Sequence, residues 1–201
     1  MSRIIANSYR HTGASADAIT LDASGNATFP ANVTCSGTAS GFGKILQVAN
    51  VTKTNQFSES LSSGTFSGSA FELAFTAAST SNRLLFLINC SIGLTAADSR
   101  IGFALFADGS VINAATGDAP ASGNNKRVTT GGSTNADTNM DSQGMNYYHT
   151  PTSTSSITYS VRLFNGNTGT KTISLNYGAG MGEAASGYRG MSSMTILEIA
   201  A

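Results

Sequence analysis

Charge is scarce in this chain. Only 11% of its 201 residues are Asp, Glu, Lys or Arg, and eleven basic side chains offset eleven acidic ones. That balance removes the general attraction by which proteins hold nucleic acid or anionic lipid, so neither is expected as a partner. Long hydrophobic runs are missing as well. No stretch approaches the ~20 apolar residues of a membrane helix, and the polar start "MSRIIANSYRHTG" lacks the apolar centre of a signal peptide. Membrane insertion and Sec-dependent secretion are therefore not expected. Cysteine is limited to Cys35 and Cys90, too few for a disulfide framework and without metal-ligand spacing. Cys90, inside "RLLFLINCSIGL", reads as a buried free thiol of a protein assembled in a reducing cytoplasm.

Helical periodicity is almost absent, and what is present instead is repeated apolar/polar alternation with 22 glycines, the pattern of an all-β protein. "KILQVANVTK" sets Ile45, Gln47, Ala49 and Val51 on one face and Leu46, Val48 and Asn50 on the other. "FELAFT" sets Phe71, Leu73 and Phe75 against Glu72, Ala74 and Thr76. In "NRLLFLINCSIGL" five apolar residues run from Leu84 to Ile88. Both faces of that strand are apolar, which predicts cover on one side by the domain's own second sheet and on the other by a second subunit. Asp108-Gly109 predicts a tight hairpin. Residues 113 to 139 read as a surface loop with one short strand near Arg127-Val128. Strands follow in "MDSQGMNYYHTP", "ITYSVRLF", "TKTISLNY" and "MTILEI". About eight to ten short strands between Lys44 and Ala201 make an antiparallel sandwich, jelly-roll-like, the expected architecture of that region.

The preceding stretch, "ITLDASGNATFPANVTCSGTASGFG", is different. Its large apolar groups are Ile19, Leu21, Phe29, Val33 and Phe42. Burial contributes roughly 25 cal/mol per Å² of apolar surface against ~1–2 kcal/mol of backbone entropy per ordered residue, so these groups cannot fold the segment alone. Three copies wound about an axis would let Ile19, Leu21, Phe29 and Val33 meet their symmetry mates and would pair open strand edges. The chain thus divides into an N-terminal peptide (residues 1–18), an extended β stem (19–43) and a sandwich head (44–201), with a homotrimer as the expected assembly.

Chemistry-bearing constellations are sparse. His11 and His149 belong to no metal-binding pattern and read as isolated surface histidines. A glycosidase would need two carboxylates flanking a scissile bond. Here Asp98, Asp108, Asp118, Asp137 and Asp141 are scattered and mostly in turn contexts. "GFG" and "GAGMGEAASG" lack the context of a phosphate loop. No catalytic residue, metal or cofactor is expected, and a surface-polysaccharide hydrolase is the disfavoured alternative. The contact candidates are polar loop residues Asn124, Asn125, Lys126 and Arg127, together with Tyr148 and Tyr188, whose rings could stack on sugars. Tyr147 and Tyr148 are adjacent, so on a strand at most one faces outward.

These residues carry a resemblance. "ITLDASGNATFPANVTCSGT", following "MSRIIANSYRHTGASADA", resembles the stem segments of tail-fibre and related virion proteins of bacteriophages, particularly those of marine cyanobacteria, over roughly residues 3 to 41. "KILQV" and "SSMTILEIAA" are similar to the first and last strands of their globular heads, which resemble trimeric jelly rolls of the tumour-necrosis-factor and complement-C1q kind. The resemblance implies a virion component on the tail or capsid surface, made in the host cytoplasm. Its N-terminus, with Ile4 and Ile5, would anchor it to other virion proteins, and its head would contact a host-surface glycan or outer-membrane protein. A capsid-decorating fibre without a specific receptor is the alternative, because the stem is short for a fibre shaft.

Overall fold

In the computed structural model the residues described are 7–24, 26–29, 44–94, 99–118, 127–134, 139–178 and 189–201. The chain separates into two compact units, Met1–Phe42 and Gly43–Ala201.

The first unit carries a three-stranded antiparallel sheet of β1 (Ser8–Tyr9), β2 (Ile19–Leu21) and β3 (Ala27–Thr28), in that order. Tyr9 pairs with Ile19, so the sheet joins residues on both sides of the division expected at residue 18. The β2–β3 turn is built by Asp22, whose Oδ1 accepts from the backbone N–H of Ser24 (2.9 Å) and Asn26 (2.8 Å). That is an Asx turn, which needs only a short carboxylate and no core. None of the described residues of this unit is buried within the single chain.

The second unit is an antiparallel β sandwich. Its strands are β4 (Ile45–Lys53), β5 (Phe57–Leu61), β6 (Phe71–Thr76), β7 (Arg83–Leu94), β8 (Ser99–Ala107), β9 (Ser110–Val111), β10 (Thr130–Thr134), β11 (Met140–His149), β12 (Ser156–Asn165), β13 (Lys171–Leu175) and β14 (Ser192–Ile199). One sheet is organised around β7. β14 lies along the first half of one edge and β13 along its end, with β4 and β5 outside them, and β11 covers the opposite edge from Leu84 to Gly93. The other sheet runs β10-β8-β12-β6, with β9 folded back on β8. That hairpin is the Asp108-Gly109 turn, where φ is +45° and +79°, values an Asp-Gly pair accepts at little cost.

Alternation of side chains sends one face of each strand into the interior. β7 contributes Leu84, Phe86, Ile88, Cys90 and Ile92, β8 contributes Ile101, Phe103 and Leu105, and β12 contributes Tyr159, Val161 and Leu163, all buried. The two sheets meet where the Phe86 and Tyr159 rings pack edge to face at 4.9 Å. Each large apolar side chain so buried stabilises the fold by about 1.5–3 kcal/mol relative to exposure. Cys90 is a free thiol at 0% exposure, its pKa pushed far up by burial.

Several expectations change here. The strand expected near Arg127-Val128 begins at Thr130, as the edge strand β10. β4 has one extra residue, Leu46, opposite the Glu198/Ile199 step of β14, and this bulge turns Ile45 to the outside, 54% exposed, away from the face it would share with Ala49 and Val51. His149 is not an isolated surface group: it is half-buried, with Phe86, Tyr147 and Tyr159 rings 5.8–6.1 Å away. Asp141 lies within β11 rather than in a turn, accepting from Gln143 Nε2 (2.9 Å).

The buried carboxylate of Glu198 is satisfied by donors from a loop and a strand. Glu198 is fully enclosed at the end of β14. Its carboxylate accepts from Asn82 Nδ2 (2.6 Å), the Ala78 N–H (2.9 Å) and Gln47 Nε2. Desolvation raises its pKa, but hydrogen bonds from Asn82, Gln47 and the backbone of Ala78 and Ser79 outweigh it and hold the carboxyl below its usual range. Glu198 thereby ties the β6–β7 connection to β4 and β14.

Candidate interaction surface

The outward face of β4, β14, β7 and β11 is the surface that the fold leaves unexplained. Register fixes what lies there: Val48 is opposite Leu197, Leu197 opposite Leu85, and Leu85 opposite Tyr148. An unbroken apolar row therefore crosses four strands. Val48 is 60% and Tyr148 59% exposed, while the two central leucines are half-buried by their neighbours. Leu87, 39% exposed, stands beside the row, and Ile45 and Ile199 extend it on the other side.

Toward the other end, the same face turns polar without becoming charged. Asn50 Nδ2 donates to Thr195 Oγ1 (2.8 Å), Thr52 Oγ1 donates to Asn50 Oδ1 (3.1 Å), and Ser142 Oγ donates to Asn89 Oδ1 (3.1 Å). Among the outward positions of these four strands only Arg83 is charged, and its guanidinium donates to Thr150. A contiguous apolar row framed by neutral amides and hydroxyls is the composition of the centre of a protein interface, where charge is depleted and aromatic groups are enriched.

Of the residues singled out in the sequence, Tyr148 stands on this face and Tyr147 points inward, half-buried beside His149. Arg127 is used within the domain: Nε donates to Gly117 O (2.7 Å) and Nη2 to Asn113 O (2.9 Å), pinning the 3-10 turn at Asn113–Ala115. Ile19 is half-buried, Leu21 and Phe29 are 37% and 48% exposed, and Tyr9 beside them is 44% exposed. Ile4, Ile5, Val33, Asn124, Asn125, Lys126 and Tyr188 lie outside the described residues. The row itself escaped sequence reasoning. Each strand shows its outward apolar residue, but only pairing register places the four side by side.

Two interior groups have shifted ionisation. Burial, and then the nearby negative charge of Asp108, pushes the Tyr159 hydroxyl up to about 12. Burial lowers the His149 pKa, so its imidazole is neutral at neutral pH. Among the described residues no group of three or more His, Cys, Asp and Glu is placed to hold a metal ion, and no helix is long and apolar enough to cross a membrane.

No family model matches the chain, and no curated protein does. Among solved structures, that of the infectious bursal disease virus Gx strain is similar at 12% identity with a TM-score of 0.39. The likeness covers 84% of this chain and 42% of the other, so the chain spans less than half the length of the protein it matches.

Proposed function

We infer that the protein is a homotrimeric structural component of a bacteriophage virion: a short tail fibre whose N-terminal segment attaches to the particle and whose C-terminal head meets the host surface. The observation that carries the assembly is the uncharged apolar row Val48–Leu197–Leu85–Tyr148, which has no covering partner among the described residues. A second copy of the chain is the partner it fits, because apart from Arg83 the outward positions of these strands offer no charge for a differently charged protein to read. The N-terminal unit makes the same demand, with Tyr9, Leu21 and Phe29 all exposed in one chain. The phage assignment rests on the likeness of the segment "ITLDASGNATFPANVTCSGT" to fibre stems.

The strand order adds support. Leaving aside β5, β9 and β13 and numbering β4, β6, β7, β8, β10, β11, β12 and β14 as 1 to 8, the two sheets read 1-8-3-6 and 2-7-4-5. This is the wrapping of a jelly roll, two Greek keys closed on each other, an architecture common in viral shells and lectins. Fold alone does not settle function. On this reading the protein has no catalytic centre and needs no cofactor.

The test is location. Gold-labelled antibody against the head should decorate tail fibres in electron micrographs of intact particles, and purified protein should bind host cells in competition with the phage. Label spread over the capsid, with no binding to cells, would replace the fibre by a capsid decoration.

A further inference from the structure

On the sheet opposite the apolar row, between β8, β10 and the loops that follow β5 and β12, lies an open cavity of about 650 Å³, within the range of small-molecule sites. Its aromatic element is the half-buried ring of Phe164, with Ile101 and Val128 also in the lining. Across the strands Phe164 is opposite Gly102, and Gly102 is opposite Gly131. Two glycines in succession mean that no neighbouring side chain rises over the ring from that side. Phe66 supports the ring from another, their centroids 5.1 Å apart. Gly166 completes the opening: a Cβ there would come within 2.9 Å of the Arg100 Cβ and 3.4 Å of the Phe164 ring, so any other residue would intrude between the two.

Arg100 is the cavity's cation. Its backbone is clamped, the N–H donating to Asn167 Oδ1 (2.7 Å) and the carbonyl accepting from Asn167 Nδ2 (3.0 Å) and the Gly166 N–H (3.1 Å). Its side chain is exposed, and its guanidinium has no hydrogen-bond or ion-pair partner among the described residues. Among the described residues no acidic side chain lines the cavity, while Ser63 and Ser133 bring hydroxyl groups to it.

A flat apolar ring, a planar fork of donors and hydroxyl groups around an open cavity are complementary to one chemistry. We propose that this cavity binds a carboxylate-bearing sugar residue, a uronic acid or its like: the C–H face of the pyranose lies on Phe164, the carboxylate takes the Arg100 fork, and ring hydroxyls meet Ser63, Ser133 and the glycine backbone. The guanidinium matches a carboxylate in two parallel hydrogen bonds, and the charge makes those bonds stronger than ones to a neutral hydroxyl. This deepens the reading of the head as host-facing and rests on it for the source of the sugar, an acidic surface polysaccharide.

The 201-residue chain is titrated with methyl β-glucuronide and, separately, with methyl β-glucoside, followed by amide chemical shifts. The glucuronide is expected to bind at least about tenfold more tightly, the ratio set by a charge-assisted pair, and to move the amides of Gly131, Gly132 and Gly166. Arg100→Gln, an exposed change whose melting temperature serves as control, should erase the preference, and Arg100→Lys should restore part of it. Equal binding of the two sugars, shifts confined to other surfaces, or an unchanged preference in Arg100→Gln would overturn the proposal. Its failure is separable from that of the fibre reading. Glucuronide preference in a protein absent from virion tails leaves the cavity standing and removes the fibre. A tail fibre indifferent to glucuronide does the reverse.

Discussion

The two faces of β7 are built from one run of apolar residues, yet they end in different environments. Leu84, Phe86 and Ile88 are 0–4% exposed against the second sheet, while Leu85 is half-buried and Leu87 is 39% exposed. On the inward side each residue is enclosed by the opposing sheet, including the Tyr159 ring. On the outward side the neighbours are Leu197 and Tyr148 of adjacent strands, which shield edges but not tops. A strand that needed only one covered face would alternate leucine with polar residues, as β6 does with Phe71, Glu72 and Phe75. β7 does not alternate until Asn89, and the stretch that fails to alternate is the stretch that carries the apolar row. The difference teaches that one run of residues makes two apolar faces, one enclosed within the chain and one left open among the described residues.

The comparison can be broken by substitution on each side. Phe86→Ala should cost about 3–5 kcal/mol in denaturant unfolding, the usual penalty for emptying a core aromatic site. Leu87→Ala, measured at concentrations where the chain is monomeric, should stay within about 0.5 kcal/mol of wild type. Equal losses at the two positions would mean that the outward face is already part of the core.

Glu198 gives the next largest effect. Glu198→Ala leaves the donors of Asn82, Gln47 and Ala78 without their acceptor, and should cost about 2–3 kcal/mol. Because the carboxyl's pKa is lower in the folded than in the unfolded state, its contribution is fully present above the unfolded carboxylate value. It is lost as pH falls through the depressed folded one. Unfolding curves between neutral pH and pH 3 should therefore show an acid limb that Glu198→Gln flattens. Retention of the limb in that variant would assign it to other carboxylates.

His149 gives the smallest. Burial lowers its pKa, so the folded state resists protonation, and stability should fall modestly as pH drops below the unfolded histidine value of ~6.5. His149→Gln should remove that step while leaving the Glu198 limb in place, since the first reports the interior beside β11 and the second the end of β14.

How much of this could be read in advance depended on how local the determinant was. The Asp108-Gly109 turn is written in two adjacent residues and appears as expected. The two apolar faces of β7 are written in five consecutive ones. The opposite orientations of Tyr147 and Tyr148 follow from the pleat alone. Where pairing decides, the sequence was silent. The bulge that carries Ile45 outward exists only because β4 meets β14 with one residue to spare. β5 was passed over, since "FSESL" has few apolar groups and forms a strand through its pairing with β13. The environment of His149 is made by Phe86 and Tyr159, distant in sequence. The cavity beside Phe164 needed two glycines from different strands to fall in register with it. In the N-terminal unit the described Leu21 and Phe29 are exposed in one chain.

The central claim is that copies of the chain bury the row Val48–Leu197–Leu85–Tyr148, and the mass in solution tests it most directly. Light scattering of this 201-residue chain should give about three times the 20.5 kDa of one copy. The double variant Val48→Lys, Leu87→Lys should give one chain's mass, or a mass that falls on dilution, with an unchanged circular dichroism spectrum. A wild-type protein that stays monomeric at high concentration, or a variant that stays trimeric, would contradict the account.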